Sequence, residues 1–331
     1  MTQKHTVRIL PHERSISAPA DVPVLTAAML AGLPLPHSCR SGRCGSCRAR
    51  LLSGRIEYPG GSPPGLSVRE TQQGFVLLCQ AQARSDLVVE ARLMPSAAAE
   101  IKTVPTRIAR RVQLAPDIMQ LVLRVPAADS IEFLAGQYLD VLLEGGLRRS
   151  YSVANAPDAA SQIELHVQHV PGGVFSEAVF ASLREGALVK IEGPLGRFIY
   201  QPGIEPVIFV AEGTGFAPIK AMLGQALAED SRQLHLYWGA REAAGIYMEP
   251  LVREWASRMP RLKVRTLVAE PGGILDVVLQ DQPRLADFAI YAAGPPALID
   301  AIQRTFPARG VRPEQLYVDA FDHAPSVKPS P

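Results

Sequence analysis

The hydrophobic pattern changes period along the chain and divides it into three regions. In the first, Thr6–Leu10 alternates apolar Val7 and Ile9 with polar neighbours, which predicts a half-buried strand. Val24–Ala31 has helical spacing, and Leu87–Ala91 reads as a closing strand. From Pro105 the chain runs in short alternating segments separated by turns: TRIARRV, IMQLVLRV, QYLDVLLE, RSYSVA, IELHVQHV and ALVKIEG. Segments of this kind at close spacing predict a six-stranded antiparallel barrel. Past Pro206, strands alternate with helices instead. Val207–Ala211 is continuously apolar, as in a central strand of a parallel sheet. LHLYWGAR, LKVRTLV, FAIYAAGPPALIDAI and LYVDAF complete a doubly wound parallel α/β sheet. The stretch MPSAAAEIKT has no periodic pattern and reads as a linker. The expected division is 1–93, a linker over 94–104, 105–201, 202–323 and a tail over 324–331, in the α+β multidomain class.

Charge changes this picture little. Lys+Arg 34 against Asp+Glu 32 leaves a net charge of +2, so no global field gathers nucleic acid or an anionic membrane. The longest charge-free stretch, Val22 to Cys39, is broken by Pro23, Gly32, Pro34 and Pro36, and a spanning helix is not expected there. The start, MTQKHTVRILPHER, carries charges where a signal peptide needs its apolar segment. A cytoplasmic protein without structural disulfides is expected.

The cysteines are Cys39, Cys44, Cys47 and Cys79, spaced C-x4-C-x2-C-x31-C with no thiol left over. Zinc usually takes paired C-x2-C knuckles, whereas one knuckle here is extended by a cysteine upstream. The spacing is that of the plant-type [2Fe–2S] loop, with zinc as the alternative. Gly42 and Gly45 would let the Ser38–Cys47 backbone wrap a cluster and aim its N–H groups at sulfur. Arg40, Arg43, Arg48, Arg50 and Arg55 lie between Asp21 and Glu57 with no acid among them. That charge would favour a more anionic reduced cluster and steer an acidic partner, although a solvated basic loop explains it equally well.

Arg149-Ser150-Tyr151-Ser152 puts a cation, a ring and hydroxyls on one strand, suited to the pyrophosphate, the ring face and N5 of a flavin. An ordinary edge strand has the same look. Gly172 and Gly173 open a helix, giving free N–H groups and the Ser176 hydroxyl where an anion can bind. Gly193-Pro194-Leu195-Gly196 then closes the region with a tight turn. After the apolar strand, Glu212-Gly213-Thr214-Gly215 leads into a helix; such a turn receives a nucleotide pyrophosphate, and is equally what close strand–helix packing needs. His166 and His169 have odd separation on one strand and face opposite sides, so a metal site between them is not expected.

With SCRSGRCGSC and FVLLCQ, the first region resembles a plant-type ferredoxin, a β-grasp fold. The order RSYS, HVQHVPGGVFS, GPLGRF resembles the FAD domain of the ferredoxin–NADP reductase superfamily, and the last third its NAD(P)-binding half. In this order the chain is similar to the reductase components of aromatic-ring (terephthalate-type) dioxygenases and to CDP-6-deoxyhexose dehydrase reductases, on AEGTGFAPIK and YWGAREAAGIYM.

The resemblance implies a [2Fe–2S] cluster on Cys39, Cys44, Cys47 and Cys79. It implies FAD on Arg149, Ser150, Tyr151, Ser152, His166 and Val167, with Gly172, Gly173, Ser176 and Phe321. NAD(P)H would lie on Gly213, Thr214, Gly215, Arg241, Gly294 and Pro295, and Tyr151, Ser152, Thr214 and Asp319 would stand at the reacting centre. Electrons would pass from NAD(P)H through FAD and the cluster to a separate protein. That acceptor would be the terminal oxygenase of a Rieske-type system, or a dehydrase, docking near the basic cluster loop. A non-catalytic iron–sulfur or zinc module is the alternative of another class. The chain departs from the pattern in reading Ala293-Gly294-Pro295-Pro296 for C-G-P-P, which removes a thiol from beside the nicotinamide. Gly245 replaces a common Asp, leaving NADH against NADPH open, and Glu212 brings a carboxylate toward an expected pyrophosphate.

Overall fold

The computed structural model describes residues 3–33, 35–91, 101–157, 162–269 and 273–321. Of the expected linker, 94–100 lies outside the described residues, as does the whole expected tail. The chain forms two compact units, Met1–Ala98 and Ala99–Pro331.

The first unit contains β1 (Lys4–Leu10), β2 (Arg14–Pro19), α1 (Val24–Leu30), β3 (Arg48–Ser53), β4 (Ile56–Glu57), α2 (Val68–Gln72), β5 (Phe75–Leu77), β6 (Gln82–Ala83) and β7 (Leu87–Glu90). Five strands pair in the order β2-β1-β7-β3-β5, with β1 and β7 parallel and the other pairs antiparallel. The alternation seen in the sequence places Val7 and Ile9 of β1 wholly inside, beside Val24 and Leu25 of α1. The cysteine loop leaves this core between α1 and β3, and Cys79 follows β5.

The second unit opens with β8 (Lys102–Ala115), β9 (Ile118–Arg124), β10 (Tyr138–Leu142), β11 (Arg148–Ser152), β12 (Gln162–Gln168), α3 (Val174–Ala181) and β13 (Leu188–Leu195). β8 begins inside the stretch expected to be linker, because Lys102, Thr103 and Val104 pair with β13. The six strands form one antiparallel sheet in the order β11-β10-β13-β8-β9-β12. A Val153–Leu165 bridge joins its two outer strands.

The unit continues with β14 (Val207–Glu212), α4 (Phe216–Glu229), β15 (Leu234–Ala240), α5 (Glu249–Arg258), β16 (Leu262–Val268), α6 (Gly273–Asp281), β17 (Ala289–Gly294), α7 (Pro296–Ala308) and β18 (Leu316–Ala320). All five of these strands are parallel, in the order β16-β15-β14-β17-β18. Every residue of β14 is buried, as its unbroken apolar run requires. The chain builds outward from β14 on one side and then returns to place β17 on the other. The carboxyl ends of β14 and β17 therefore flank a topological switch point, where such sheets receive ligands. Among the described residues, no helix is long and apolar enough to cross a membrane.

Candidate functional site

The four thiols meet as two contacting pairs, Cys39 with Cys44 and Cys47 with Cys79. The backbone N–H of Cys44 donates to Cys39 Sγ at 3.3 Å. The Cys44 thiol and nearby donors outweigh burial and hold Cys39 down to about 5. The partners Cys44 and Cys79 are pushed well up by the same contacts and by burial. Two pairs of thiols suit two irons, each taking two thiolates from the protein. Among the described residues, no three His, Cys, Asp or Glu side chains gather as a single-ion site. The loop needs its glycine at Gly42, where φ is +76° and a Cβ would lie 2.9 Å from both Gln80 Cγ and Pro63 Cβ. Of the five arginines, Arg48 is paired with Glu70 at 3.0 Å, so the basic excess is smaller than the sequence indicates.

β11 presents Arg149 and Tyr151 half-buried and Ser152 buried. The Tyr151 ring lies 5.4 Å from that of Phe175, and burial pushes its phenol up. Arg149 donates to the Arg148 carbonyl at 2.8 Å, while the Ser150 hydroxyl donates to the buried Asp140 carboxylate at 2.6 Å. Val167 points into the core of the antiparallel sheet. Two expected anion-binding groups at the start of α3 are engaged within the chain. Ser176 is buried, with its hydroxyl 3.1 Å from the Val170 carbonyl and 3.2 Å from that of Gly173. The N–H of Gly172 donates to the Glu177 carboxylate at 3.1 Å, and Gly173 caps the helix. His169 faces Glu177 at 3.3 Å, away from the partners of His166.

At the carboxyl edge of the parallel sheet, Gly213–Gly215 forms one tight helical turn between β14 and α4. Gly215 has no room for a side chain: a Cβ would lie 2.1 Å from the Ala293 carbonyl. Thr214 is half-buried. Gly294 and Pro295 lead into α7, and Gly294 accepts a backbone hydrogen bond from Phe321 at 2.9 Å. Asp319 is buried and lies in register with Ala293, which in turn lies beside Ala211. The expected nucleotide residues Gly213, Thr214, Gly215, Gly294 and Pro295 thus gather with Asp319 and Phe321 at one edge. Arg241 is exposed just past β15. Glu212 is buried, its Cβ 3.2 Å from where a side chain on Gly294 would start.

A buried polar network that the sequence did not reveal joins the two sheets of this unit. Glu164 accepts from His166 Nε2 at 2.7 Å, from Gln120 at 2.7 Å and from Lys220 of α4 at 2.9 Å. Lys220 also donates to the Ala154 carbonyl at 3.0 Å. His166 Nδ1 lies 2.9 Å from the Tyr247 hydroxyl. Burial would raise the Glu164 carboxyl, but the bonds and charges of His166 and Lys220 prevail and hold it to about 2. Burial lowers His166, against the opposing pull of Glu164. An ionised carboxylate only accepts, so the proton of neutral His166 sits on Nε2, and Nδ1 accepts from Tyr247. Tyr247 in turn stands edge-on to Trp238 at 5.2 Å, and Trp238 donates to the Gly213 carbonyl at 3.1 Å. The one sequence signal was Glu164 two residues before His166, on the same strand face.

Three family models match the chain: a 2Fe-2S iron-sulfur cluster binding domain over residues 7–84, an oxidoreductase FAD-binding domain over 105–200, and an oxidoreductase NAD-binding domain over 209–304. The CDP-6-deoxy-L-threo-D-glycero-4-hexulose-3-dehydrase reductase of Yersinia pestis is 35% identical over 308 residues, 90% of this chain and 92% of its own. Reductase component 1 of the terephthalate 1,2-dioxygenase of Comamonas sp is 34% identical over 339 residues, 97% and 98% of the two chains. Among solved structures, an Amycolatopsis cytochrome P450 reductase is similar with a TM-score of 0.75 and 30% identity, covering 96% of this chain and 98% of that one.

Proposed function

Since this chain belongs to the family of three-domain ferredoxin–NAD(P)H reductases, we propose that it is the reductase component of a Rieske-type aromatic dioxygenase system, with the terminal oxygenase as its acceptor. Its cofactors are a [2Fe–2S] cluster, FAD and NAD(P)H, and it is an oxidoreductase. Together they supply a two-electron hydride donor, a carrier stable at three oxidation levels and a one-electron acceptor. The observation that carries the reading is the pairing of four thiols on the same chain as a glycine turn at the switch point of a parallel sheet. A non-catalytic zinc or iron–sulfur module is set aside, because oxidoreductase family models cover most of the second unit.

The chain's own residues divide the work. Cys39 and Cys44 would hold one iron, Cys47 and Cys79 the other. The six-stranded sheet, its outer strands bridged at Val153–Leu165, would close as a barrel and carry FAD along β11. There Arg149 would meet pyrophosphate, Tyr151 would cover a ring face and Ser152 would donate to N5. Because Ser176 and the N–H of Gly172 are held within the chain, α3 would meet the pyrophosphate through its remaining N–H groups. Gly213, Thr214 and Gly215 would let nicotinamide approach from the other side, with Asp319 and Phe321 closing the edge. A first domain at 1–93, a second that takes in β8 from Lys102 and runs to 201, a third at 202–323 and a cytoplasmic setting follow from the same reading, with the acceptor docking near Arg40, Arg43, Arg50 and Arg55.

A second acceptor, a CDP-6-deoxyhexose dehydrase, is favoured by the Yersinia pestis relative named above. Reconstitution separates the two. The purified protein with NADH or NADPH is expected to drive turnover by a terephthalate-type oxygenase; turnover only with the dehydrase would move the assignment, and failure to reduce cytochrome c would remove both.

A further inference from the structure

We propose that Tyr247 is a positioning residue for hydride transfer: its hydroxyl, bonded to His166 at 2.9 Å, latches the nucleotide turn to the strands that carry the flavin. The proposal rests on the reductase reading and adds to it a residue outside the expected cofactor contacts. His166 belongs to β12 of the antiparallel sheet, whereas Tyr247 follows β15 of the parallel sheet. From Tyr247 the contact continues through the Trp238 ring to the Gly213 carbonyl. Phe216, the first residue of α4, stacks on Trp238 at 3.8 Å and 14°. From His166 it continues through Glu164 to Lys220, one helical turn along the same α4. Lys220 also grips the Ala154 carbonyl, two residues beyond Ser152.

The Gly213–Gly215 turn is thus held to β12 by two routes, one through Trp238 and Tyr247 and one through Lys220 and Glu164. An apolar contact would bury this interface at least as stably. What hydrogen bonds add is a defined distance and angle between the turn and the strand ending at Ser152. Hydride transfer is steep in that distance, since a shift of about 1 Å costs on the order of a hundredfold in rate.

The test is anaerobic stopped-flow reduction of the holoprotein by NADH and by NADPH, comparing wild type with Tyr247→Phe and Lys220→Met. Tyr247→Phe keeps the ring against Trp238 and removes only the hydroxyl. The limiting rate of flavin bleaching is expected to fall about tenfold or more in each variant. FAD content and the nucleotide concentration giving half the limiting rate are expected to stay within about twofold, a split that general loosening would not give. A Tyr247→Phe protein with the wild-type limiting rate overturns the proposal. So does one that loses FAD or nucleotide affinity in step with rate, and Lys220→Met judges it alike if Tyr247→Phe does not fold. Wild-type protein bleached by neither nucleotide would instead overturn the reductase reading.

Discussion

The backbone N–H of Cys44 points at Cys39 Sγ across 3.3 Å, so the loop carries a thiolate-directed donor as part of its own fold. The Cys44 thiol, ahead of this N–H and the other donors, holds Cys39 down to about 5 against burial, while Cys79 at the far end of the quartet is pushed up beside Cys47. Cys79→Ser should leave one pair incomplete. Iron and sulfide content and the cluster absorption should be lost while FAD stays at one per chain. A normal cluster in that variant would contradict the assignment of Cys79.

Gly215→Ala tests the nucleotide turn. The added Cβ would meet the Ala293 carbonyl at 2.1 Å, a contact that backbone must relieve. Overpacking of this kind costs about 1–3 kcal/mol. The expected result is a lowered melting temperature together with a large loss of NAD(P)H-driven flavin reduction, whereas reduction of the cluster by dithionite is unaffected. Wild-type kinetics with either nucleotide would show that the turn does not receive it.

Trp238 has two contributions that substitution can separate. Trp238→Phe keeps an aromatic ring against Phe216 but removes the donor to Gly213, a hydrogen bond worth about 1 kcal/mol. Trp238→Ala empties a fully buried site and should cost about 3–5 kcal/mol. Denaturant unfolding of the two variants measures both; equal losses would mean that the ring contributes little beyond its N–H.

Acid should loosen the second unit in two stages. His166 is lowered, so below about 6.5 the unfolded chain takes up a proton before the folded one, and stability starts to fall. Glu164 is held to about 2, so its contribution is full above its ordinary value of 4.5 and is lost as pH falls from there toward 2. Melting temperature against pH should therefore be flatter between 4.5 and 2 in Glu164→Gln than in wild type. Parallel curves would show that the Glu164 network carries no such linkage.

Much of this architecture was readable from period and spacing. Alternation located the strands that became β8 to β13, and the unbroken run at Val207–Ala211 located the central parallel strand. The cysteine quartet was visible because a cluster loop constrains Cys39, Cys44 and Cys47 close in sequence, leaving Cys79 as the one remaining thiol. The Tyr247 contact was not, since it joins His166 to a residue 81 positions away through a fold that neither residue announces. Ser176 shows a related ambiguity: a hydroxyl near a helix start serves either an anion or its own loop, and sequence spacing alone does not choose between them. The linker ran too long because Lys102–Val104, polar and small, is drawn into a strand by pairing with β13 rather than by propensity.

The central claim is that one chain carries electrons from a nicotinamide to an iron–sulfur centre. Anaerobic titration of the purified protein with NADH, and separately with NADPH, followed across the visible spectrum, tests it most directly. At least one nucleotide should bleach first the flavin bands and then the cluster bands, with about three electrons taken up per chain, two by FAD and one by the cluster. A colourless protein, or one whose cluster stays oxidised after its flavin is fully reduced, would contradict it.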